Sequence, residues 1–177
     1  MRTLVLGGIR SGKSRWAEEA IAEAAGPGVP VRYVATAAAD GDPDWSQRIA
    51  AHRDRRPAGW STVESSDVAG LLRGATGTAT LVDDIGNWLS SAMDRRDAWR
   101  AGSMRADVDD LVAAVEEFGS PLVLVSPETG LSVVPATEAG RRFADALGTL
   151  NQRLAAACDR VVLIVAGLPV TLKAGVR

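Results

Sequence analysis

Cysteine, histidine and lysine are nearly missing from this chain of 177 residues, which has one cysteine, one histidine and only two lysines among its 20 basic residues. The single cysteine, Cys158, cannot form an internal disulfide, which is typical of proteins from a reducing compartment. An arginine-rich genome would explain the shortage of lysine. Residues that persist against such a bias are more often chemically required, and we therefore single out Lys13, Lys173 and His52.

Long apolar runs and an excess of basic charge are also missing. The longest apolar stretch, residues 161–170, is too short to cross a bilayer and contains Pro169. A secretory signal is not indicated, because the short apolar run 4–6 leads directly into a glycine-rich turn. A net charge of −2 does not favour a nucleic acid or membrane partner. We therefore expect a cytoplasmic protein in which residues 1–177 form a single domain.

Apolar runs alternate with segments of helical periodicity along the chain. We predict strands at residues 3–6, 31–35, 79–82, 121–125 and 161–165, and a short extended segment at 60–64. We predict helices at residues 14–25, 67–72, 87–93, 107–118 and 137–158, and a further helix that begins at residues 42–43 and carries residues 45, 49 and 52 on one face. Repeated strand–helix units predict an α/β fold with a mostly parallel central sheet and helices on both faces.

Residues 7–14 match the phosphate-binding pattern G-x-x-x-x-G-K-[ST], between the first strand and the first helix. Glycine lets the backbone turn so that N–H groups point at phosphate oxygens, and the following helix adds its positive dipole end. We expect Lys13 to reach the β- and γ-phosphates and the Ser14 hydroxyl to bind Mg²⁺. The pattern predicts a P-loop NTPase-like fold. The predicted nucleotide-binding residues of this loop are Gly7, Gly8, Ile9, Arg10, Ser11, Gly12, Lys13 and Ser14.

An acidic magnesium ligand is expected where a buried strand ends near such a loop. Asp83 follows the apolar run 79–82 and fits this role. The adjacent Asp84 competes for it, and either residue could instead cap the next helix. The N-K-x-D pattern by which GTPases read guanine is missing, and the chain length suits a small-molecule kinase.

The only histidine, His52, lies within residues 48–56 together with four arginines. Neutral imidazole is a good nucleophile near pH 7, and clustered arginines stabilise negative charge on a phosphate under attack. This arrangement suits a covalent phosphoramidate intermediate. On the residues alone, the alternative is an exposed helix end with solvated charges.

Several motifs follow one another in a specific order. They are G-G-x-R-S-G-K-S at 7–14, Y-V-A-T-A at 33–37, R-I-x-x-H at 48–52, W-x-T-x-E at 60–64, E-x-G at 128–130, V-V-P at 133–135 and F-x-D-x-L-G-x-L-N-Q-R-L at 143–154. In this order the chain resembles the adenosylcobinamide kinase / adenosylcobinamide-phosphate guanylyltransferase family over nearly its whole length. It departs from that pattern at Pro127, Thr129, residues 131–132 and Asp84.

The resemblance implies two reactions, phosphorylation of adenosylcobinamide by ATP or GTP and transfer of GMP from GTP to the product, with Mg²⁺. It implies that His52 carries GMP covalently between half-reactions, and that the protein is a homo-oligomer of the ring-like homotrimer type. It also implies further nucleotide-binding residues, namely Ala35, Thr36, Ala37, Arg53, Asp54, Arg55, Arg56, Glu64 and Asp83. Glu64 and Asp83 are both candidates for reading guanine.

Two other functions remain open from the sequence. One is a P-loop kinase of another small alcohol, which would transfer phosphate without labelling histidine. The other is a GTP-binding regulator without catalysis, which would bind GTP without turnover.

Overall fold

The computed structural model describes residues 1–36, 57, 59–74 and 77–175. The predicted helix that begins at residues 42–43 and carries His52 lies outside the described residues. The strands are β1 (Arg2–Gly7), β2 (Val31–Ala35), β3 (Ser61–Glu64), β4 (Ala79–Asp83), β5 (Leu122–Pro127), β6 (Arg160–Val165) and β7 (Leu168–Lys173). The helices are α1 (Lys13–Ala25), α2 (Val68–Gly74), α3 (Ile85–Arg95), α4 (Arg105–Glu117) and α5 (Glu138–Ala157).

In the described part of the chain the seven strands form one sheet in the order β3-β2-β4-β5-β1-β6-β7. Strands β1 to β6 run parallel, and β7 pairs with β6 in the antiparallel sense. The register places Gly7 opposite Pro127, and Ala35 opposite both Asp83 and Glu64. The last residues of these five strands therefore lie along one edge of the sheet, which we call the carboxyl edge.

Each face of the sheet is covered by an apolar layer, as the repeated strand–helix pattern predicts. Helix α1 buries Ala17 and Ile21 against one face, where strand residues such as Val5 and Leu81 are fully buried. Helices α2 to α5 cover the other face, and fully buried residues such as Leu150 pack there. Because neighbouring residues of a strand point to opposite faces, strands buried on both sides appear in the sequence as continuous apolar runs.

The predicted strands and helices are confirmed for the described residues, with ends that differ by no more than about two residues, as is usual for element boundaries. The prediction of five strands with one extended segment was wrong in its count, because it missed β7. Proline within an apolar run argues against a central strand, but β7 is an edge strand and tolerates Pro169. The two-residue turn before it has positive φ at Ala166 (51°) and Gly167 (81°), which suits the twist of a tight hairpin.

Lys173, at the end of β7, holds the C-terminal end of α5. Its ammonium group donates to the carbonyl oxygens of Ala155 (3.0 Å), Ala156 (3.2 Å) and Cys158 (2.6 Å). A cation at this position satisfies the last carbonyls of a helix and interacts favourably with its dipole. The presence of one of the two lysines at this position therefore has a structural explanation. In the described ranges, no helix is long and apolar enough to span a membrane.

The amino end of the sheet is held by an ion pair between Arg2 and Asp159. The Arg2 guanidinium lies 2.8 Å from Oδ1 of Asp159, and the backbone N–H of Arg2 donates to Oδ2 at 2.7 Å. These two bonds from Arg2 lower the pKa of Asp159 to about 2. The pair links β1 to the turn before β6, which are 157 residues apart in sequence.

We expect Asp159→Asn to lower the free energy of unfolding by about 1 kcal/mol at pH 7, after allowance for solvent screening. The stabilisation by Asp159 is fully present above its unfolded-state pKa of about 3.9 and is lost as the pH falls toward 2. The difference between the two proteins should therefore shrink as the pH falls from about 4 to about 2. Urea unfolding at several pH values measures it, and a difference as large at pH 2 as at pH 7 would contradict the assignment.

Candidate active site

The phosphate loop, residues 7–14, connects β1 to α1 at the carboxyl edge. Gly12 occupies the N-cap position of α1 with φ 92°, and it provides no side chain to cap the helix. The first turn of α1 contains no acidic residue. The N–H groups at the start of this 13-residue helix thus receive no capping hydrogen bond from a side chain, as an anion-binding helix N-terminus requires.

Two neighbouring segments hold the phosphate loop from either side. The backbone N–H of Glu128, just after β5, donates to the Gly7 carbonyl at 3.1 Å. The N–H of Gly167, in the turn between β6 and β7, donates to the Ser11 carbonyl at 2.8 Å. A Cβ on Gly12 would lie 3.3 Å from Cα of Gly167, so the two backbones approach closely. Two carbonyls of the loop are thus engaged by neighbouring segments, while within the loop the Ser11 N–H donates to the Gly8 carbonyl at 3.3 Å.

The side chains of the loop fit a phosphate ligand. The hydroxyl oxygen of Ser11 is buried, and among the described residues it has no hydrogen-bond partner. The Lys13 ammonium lies 3.4 Å from the Gly8 carbonyl, at the long end of a hydrogen bond. A bound phosphate would provide both groups with the charged acceptor that the protein does not supply.

Asp83 ends β4 and is positioned by two contacts with β2. The Tyr33 hydroxyl donates to Oδ2 of Asp83 at 2.7 Å, across 50 residues of sequence. The backbone N–H of Thr36, just after β2, donates to the carbonyl of Asp83 at 3.2 Å. The structure thus brings the predicted residues Ala35, Thr36 and Asp83 together at the carboxyl edge, and Glu64 ends the adjacent strand β3.

Asp84 caps helix α3, which settles one alternative that the sequence left open. Its Oδ1 accepts from the backbone N–H of Asn87 at 2.8 Å, and its carbonyl accepts from the Thr36 hydroxyl at 2.5 Å. Burial, and then the neighbouring charge of Asp83, raise the pKa of Asp84 to about 6. Asp84 therefore has a structural role at the N-cap, and Asp83, which caps no helix, stays the predicted magnesium ligand.

Oxygen donors of the kind that Mg²⁺ prefers are present at this edge. The Ser14 hydroxyl and the Asp83 carboxylate are hard ligands, and Mg²⁺ is usually held by one or two carboxylates together with substrate phosphates. The described residues contain no cluster of three acidic, histidine or cysteine side chains that would hold a metal ion by themselves. This donor set therefore fits a metal that arrives with a nucleotide.

Six residues predicted for the site lie outside the described residues, namely Ala37, His52, Arg53, Asp54, Arg55 and Arg56. The other predicted residues lie in the phosphate loop or at the ends of β2, β3 and β4.

The structure adds three residues that sequence reasoning missed, and each positions another group. Tyr33 orients Asp83, and Gly167 supports the phosphate loop. Asn151 of α5 accepts from the Ser126 hydroxyl at 2.6 Å and donates to the Pro127 carbonyl at 3.0 Å, which anchors the end of β5. Tyr33 and Asn151 lie in the sequence motifs at 33–37 and 143–154, but those motifs did not indicate their roles. Asn151 also has a second sequence signal as a polar residue within an apolar helix face, because a buried amide needs partners.

A family model described as cobinamide kinase / cobinamide phosphate guanyltransferase matches residues 3–172. The bifunctional adenosylcobalamin biosynthesis protein CobP of Pseudomonas aeruginosa is 45% identical over 176 residues, which cover 98% of each chain. The corresponding protein CobU of Salmonella typhimurium is 37% identical over 190 residues, which cover 98% of this chain and all of CobU.

Among solved structures, an ATPase from the type III secretion system of pathogenic bacteria matches with a TM-score of 0.57 and 12% identity. The match covers 96% of this chain but 56% of that ATPase, so the chain spans about half its length. This likeness shows the P-loop NTPase fold alone. The family match and the two relatives show the rest: the chain belongs to the cobinamide kinase / cobinamide phosphate guanyltransferase family and is an enzyme with those two activities.

Proposed function

We propose that residues 1–177 act as one unit that performs both reactions at a single nucleotide site. ATP or GTP phosphorylates the alcohol of adenosylcobinamide. GTP then transfers GMP to that phosphate through a guanylyl group on His52, which gives adenosylcobinamide-GDP and pyrophosphate. The observation that supports this most directly is the phosphate loop, with its open helix N-terminus and the unpartnered Ser11 hydroxyl, beside Asp83 at the carboxyl edge.

The phosphate loop holds the triphosphate through its backbone N–H groups, and Lys13 neutralises the outer phosphates. Ser14 and Asp83 are the residues that would hold Mg²⁺, which when bound neutralises charge on the phosphate oxygens. Tyr33 fixes the carboxylate of Asp83 in one orientation for this purpose. Ala35, Thr36 and Ala37, together with Arg53 to Arg56, extend the nucleotide site.

In the transfer reaction, a ring nitrogen of His52 attacks the α-phosphorus of GTP. A P–N bond forms, the bond from the α-phosphorus to the bridging oxygen breaks, and pyrophosphate leaves. An oxygen of the cobinamide phosphate then attacks the same phosphorus, and the P–N bond breaks to regenerate His52. Splitting the transfer in this way lets one pocket handle two bulky substrates in turn.

In the kinase reaction, the alcohol oxygen attacks the γ-phosphorus and the nucleoside diphosphate leaves with the bridging oxygen. Positioning and charge neutralisation supply most of the catalysis in phosphoryl transfer. The phosphate loop and Lys13 provide both. The two reactions thus share the phosphate loop and differ in which phosphorus is attacked.

Incubation of the protein with Mg²⁺ and α-labelled GTP tests this function. We expect acid-labile, base-stable label on the protein, which adenosylcobinamide-phosphate removes as adenosylcobinamide-GDP. A protein that phosphorylates alcohols without becoming labelled would be a kinase only, and one that binds GTP without turnover would be a regulator.

We assign the reading of guanine to Glu64. Neighbouring strands are about 4.8 Å apart, so β3 lies roughly 19 Å from β1, whereas β4 lies roughly 10 Å from it. The base is the part of a nucleotide most distant from its phosphates, and Glu64 ends the more distant strand. The Glu64 side chain is exposed at this edge, whereas Asp83 is engaged by Tyr33 near the phosphate loop.

We expect Glu64→Gln to lower kcat/KM for GTP in the transfer reaction by roughly 10²-fold, because a carboxylate accepts from both guanine donors and an amide brings a donor of its own. Phosphorylation of adenosylcobinamide by ATP should change little. Glu116→Gln, at an exposed acid near the end of α4, is the matched control. If Glu64→Gln kept its preference for GTP over ATP, Asp83 would be the residue that reads guanine.

The exposed face of the β6–β7 hairpin supports a homo-oligomer, for which the family resemblance implies a homotrimer. β7 is an edge strand, and Val165, Leu168 and Val170 leave an apolar surface on it uncovered within the described chain. Exposed apolar edge strands are typical sites of association between chains. The turn of the same hairpin donates to the phosphate loop through Gly167, so a second copy would sit close to the nucleotide site. We place the enzyme in the cytoplasm, where its nucleotide substrates occur.

A further inference from the structure

The loop between β5 and α5 carries three apolar side chains that are almost fully exposed. The exposed fractions are 80% for Leu131, 92% for Val133 and 74% for Val134. Single exposed apolar residues are common, but a cluster of them usually marks a binding surface. We call residues 128–135 the β5 loop.

The β5 loop leaves the sheet in the middle of the nucleotide site. β5 lies between β4, which ends at Asp83, and β1, which leads into the phosphate loop. The N–H of Glu128 donates to the Gly7 carbonyl at 3.1 Å, so the first residue of the β5 loop is bonded to the phosphate loop itself. Ile9 of the phosphate loop adds a further apolar side chain, with 87% of its surface exposed. The β5 loop thus begins beside the phosphate loop, where phosphate is transferred in the proposed function.

Hydrogen bonds within the β5 loop hold its apolar residues outward. The Glu128 carboxylate accepts from the N–H of Gly130 at 2.6 Å, and the Ser132 hydroxyl donates to the Thr129 carbonyl at 2.7 Å. At the far end, Arg141 of α5 donates to the Pro135 carbonyl at 3.1 Å. A loop ordered in this way does not need to bury its apolar residues in order to be stable, and it presents them to a ligand at little cost in conformational entropy.

The family's acceptor substrate has the matching chemistry. A cobinamide consists of a large corrin ring, whose edge carries apolar methyl groups as well as amide side chains, and a flexible arm that ends in the reacting alcohol. The arm alone must reach the phosphorus, and the ring must rest outside the phosphate loop. We propose that the β5 loop binds the apolar edge of the corrin ring through Leu131, Val133 and Val134. This inference rests on the proposed function and adds the acceptor surface to it.

The test is a triple variant with Leu131→Ser, Val133→Ser and Val134→Ser. Equilibrium dialysis with adenosylcobinamide, followed by its visible absorbance, measures acceptor binding without turnover. We expect the Kd for adenosylcobinamide to rise roughly 10- to 100-fold, because three apolar contacts are lost. Labelling of the enzyme by α-labelled GTP alone should stay within about twofold of the unchanged protein, because the nucleotide contacts are intact.

The matched control is Val29→Ser, at an exposed apolar residue outside the carboxyl edge and outside the β6–β7 hairpin, and it should leave both measurements unchanged. An unchanged Kd in the triple variant overturns the inference, as does a parallel fall in acceptor binding and GTP labelling. A change in molecular mass by light scattering also overturns it, because the β5 loop would then contact a second copy of the chain. Failure of unsubstituted protein to bind adenosylcobinamide would instead refute the proposed function.

Discussion

Replacing His52 with alanine is expected to abolish guanylyl transfer while phosphorylation of adenosylcobinamide continues. The covalent intermediate requires a nucleophile that forms a P–N bond, and the sequence contains no second histidine. Loss of a catalytic nucleophile commonly costs between 10³- and 10⁶-fold in rate, so transfer should fall by about 10³-fold or more. Alanine leaves the phosphate loop intact, and we expect the kinase rate to stay within about tenfold.

Both activities are measured on the same preparation of His52→Ala and compared with those of the unsubstituted protein. α-Labelled GTP reports acid-labile label on the protein, and γ-labelled ATP reports phosphate on adenosylcobinamide. Kinase activity in His52→Ala serves as the control for folding. Normal GMP transfer in this variant, or acid-labile label at another residue, would show that His52 is not the carrier.

Replacing Lys13 with alanine is expected to lower the rates of both reactions, because in both of them the Lys13 ammonium binds the outer phosphates. The Lys13 ammonium makes only a long contact of 3.4 Å with the Gly8 carbonyl, so its removal should hardly change the stability of the protein. Removing a group that neutralises charge in the transition state typically costs roughly 10² to 10³ in rate. We expect losses of that size in the kinase rate and in the labelling of His52 by GTP.

Arg15→Ala is the matched control for Lys13→Ala. Arg15 is an exposed cation two residues further along α1, and its guanidinium pairs with Glu19 at 3.1 Å on the helix surface. Its loss should leave both rates and the nucleotide KM values unchanged. Equal effects of the two variants would mean that net charge, and not the position of Lys13, is responsible. Unchanged rates in Lys13→Ala would contradict the assignment of the phosphate loop.

The fold could be predicted from the sequence where local pattern and burial agree. Buried parallel strands appear as short apolar runs, and five of them are confirmed, together with those predicted helices that lie within the described residues. The phosphate loop could be predicted because its chemistry depends on backbone geometry that glycine allows within eight consecutive residues. Membership of the family followed from the order of motifs and is confirmed by the match over residues 3–172.

The sequence-based prediction missed strand β7 because its side chains are exposed to solvent. β7 has no buried residue, and its stability comes from pairing with β6 and from Lys173 at the end of α5. Neither contact leaves a periodic pattern in the sequence, and Pro169 argues against a strand. The sequence also could not decide which of Asp83 and Asp84 binds the metal and which caps the next helix, because both residues follow the same apolar run.

The sequence by itself determined the class of fold, the phosphate loop and the family, because short local patterns and their order along the chain are enough to predict all three. Only the tertiary structure decided that Asp84 caps α3 while Tyr33 holds Asp83, and that the β6–β7 turn supports the phosphate loop through Gly167. Those contacts join residues that are distant in sequence, and they exist only because parallel pairing brings the ends of separate strands to one edge of the sheet.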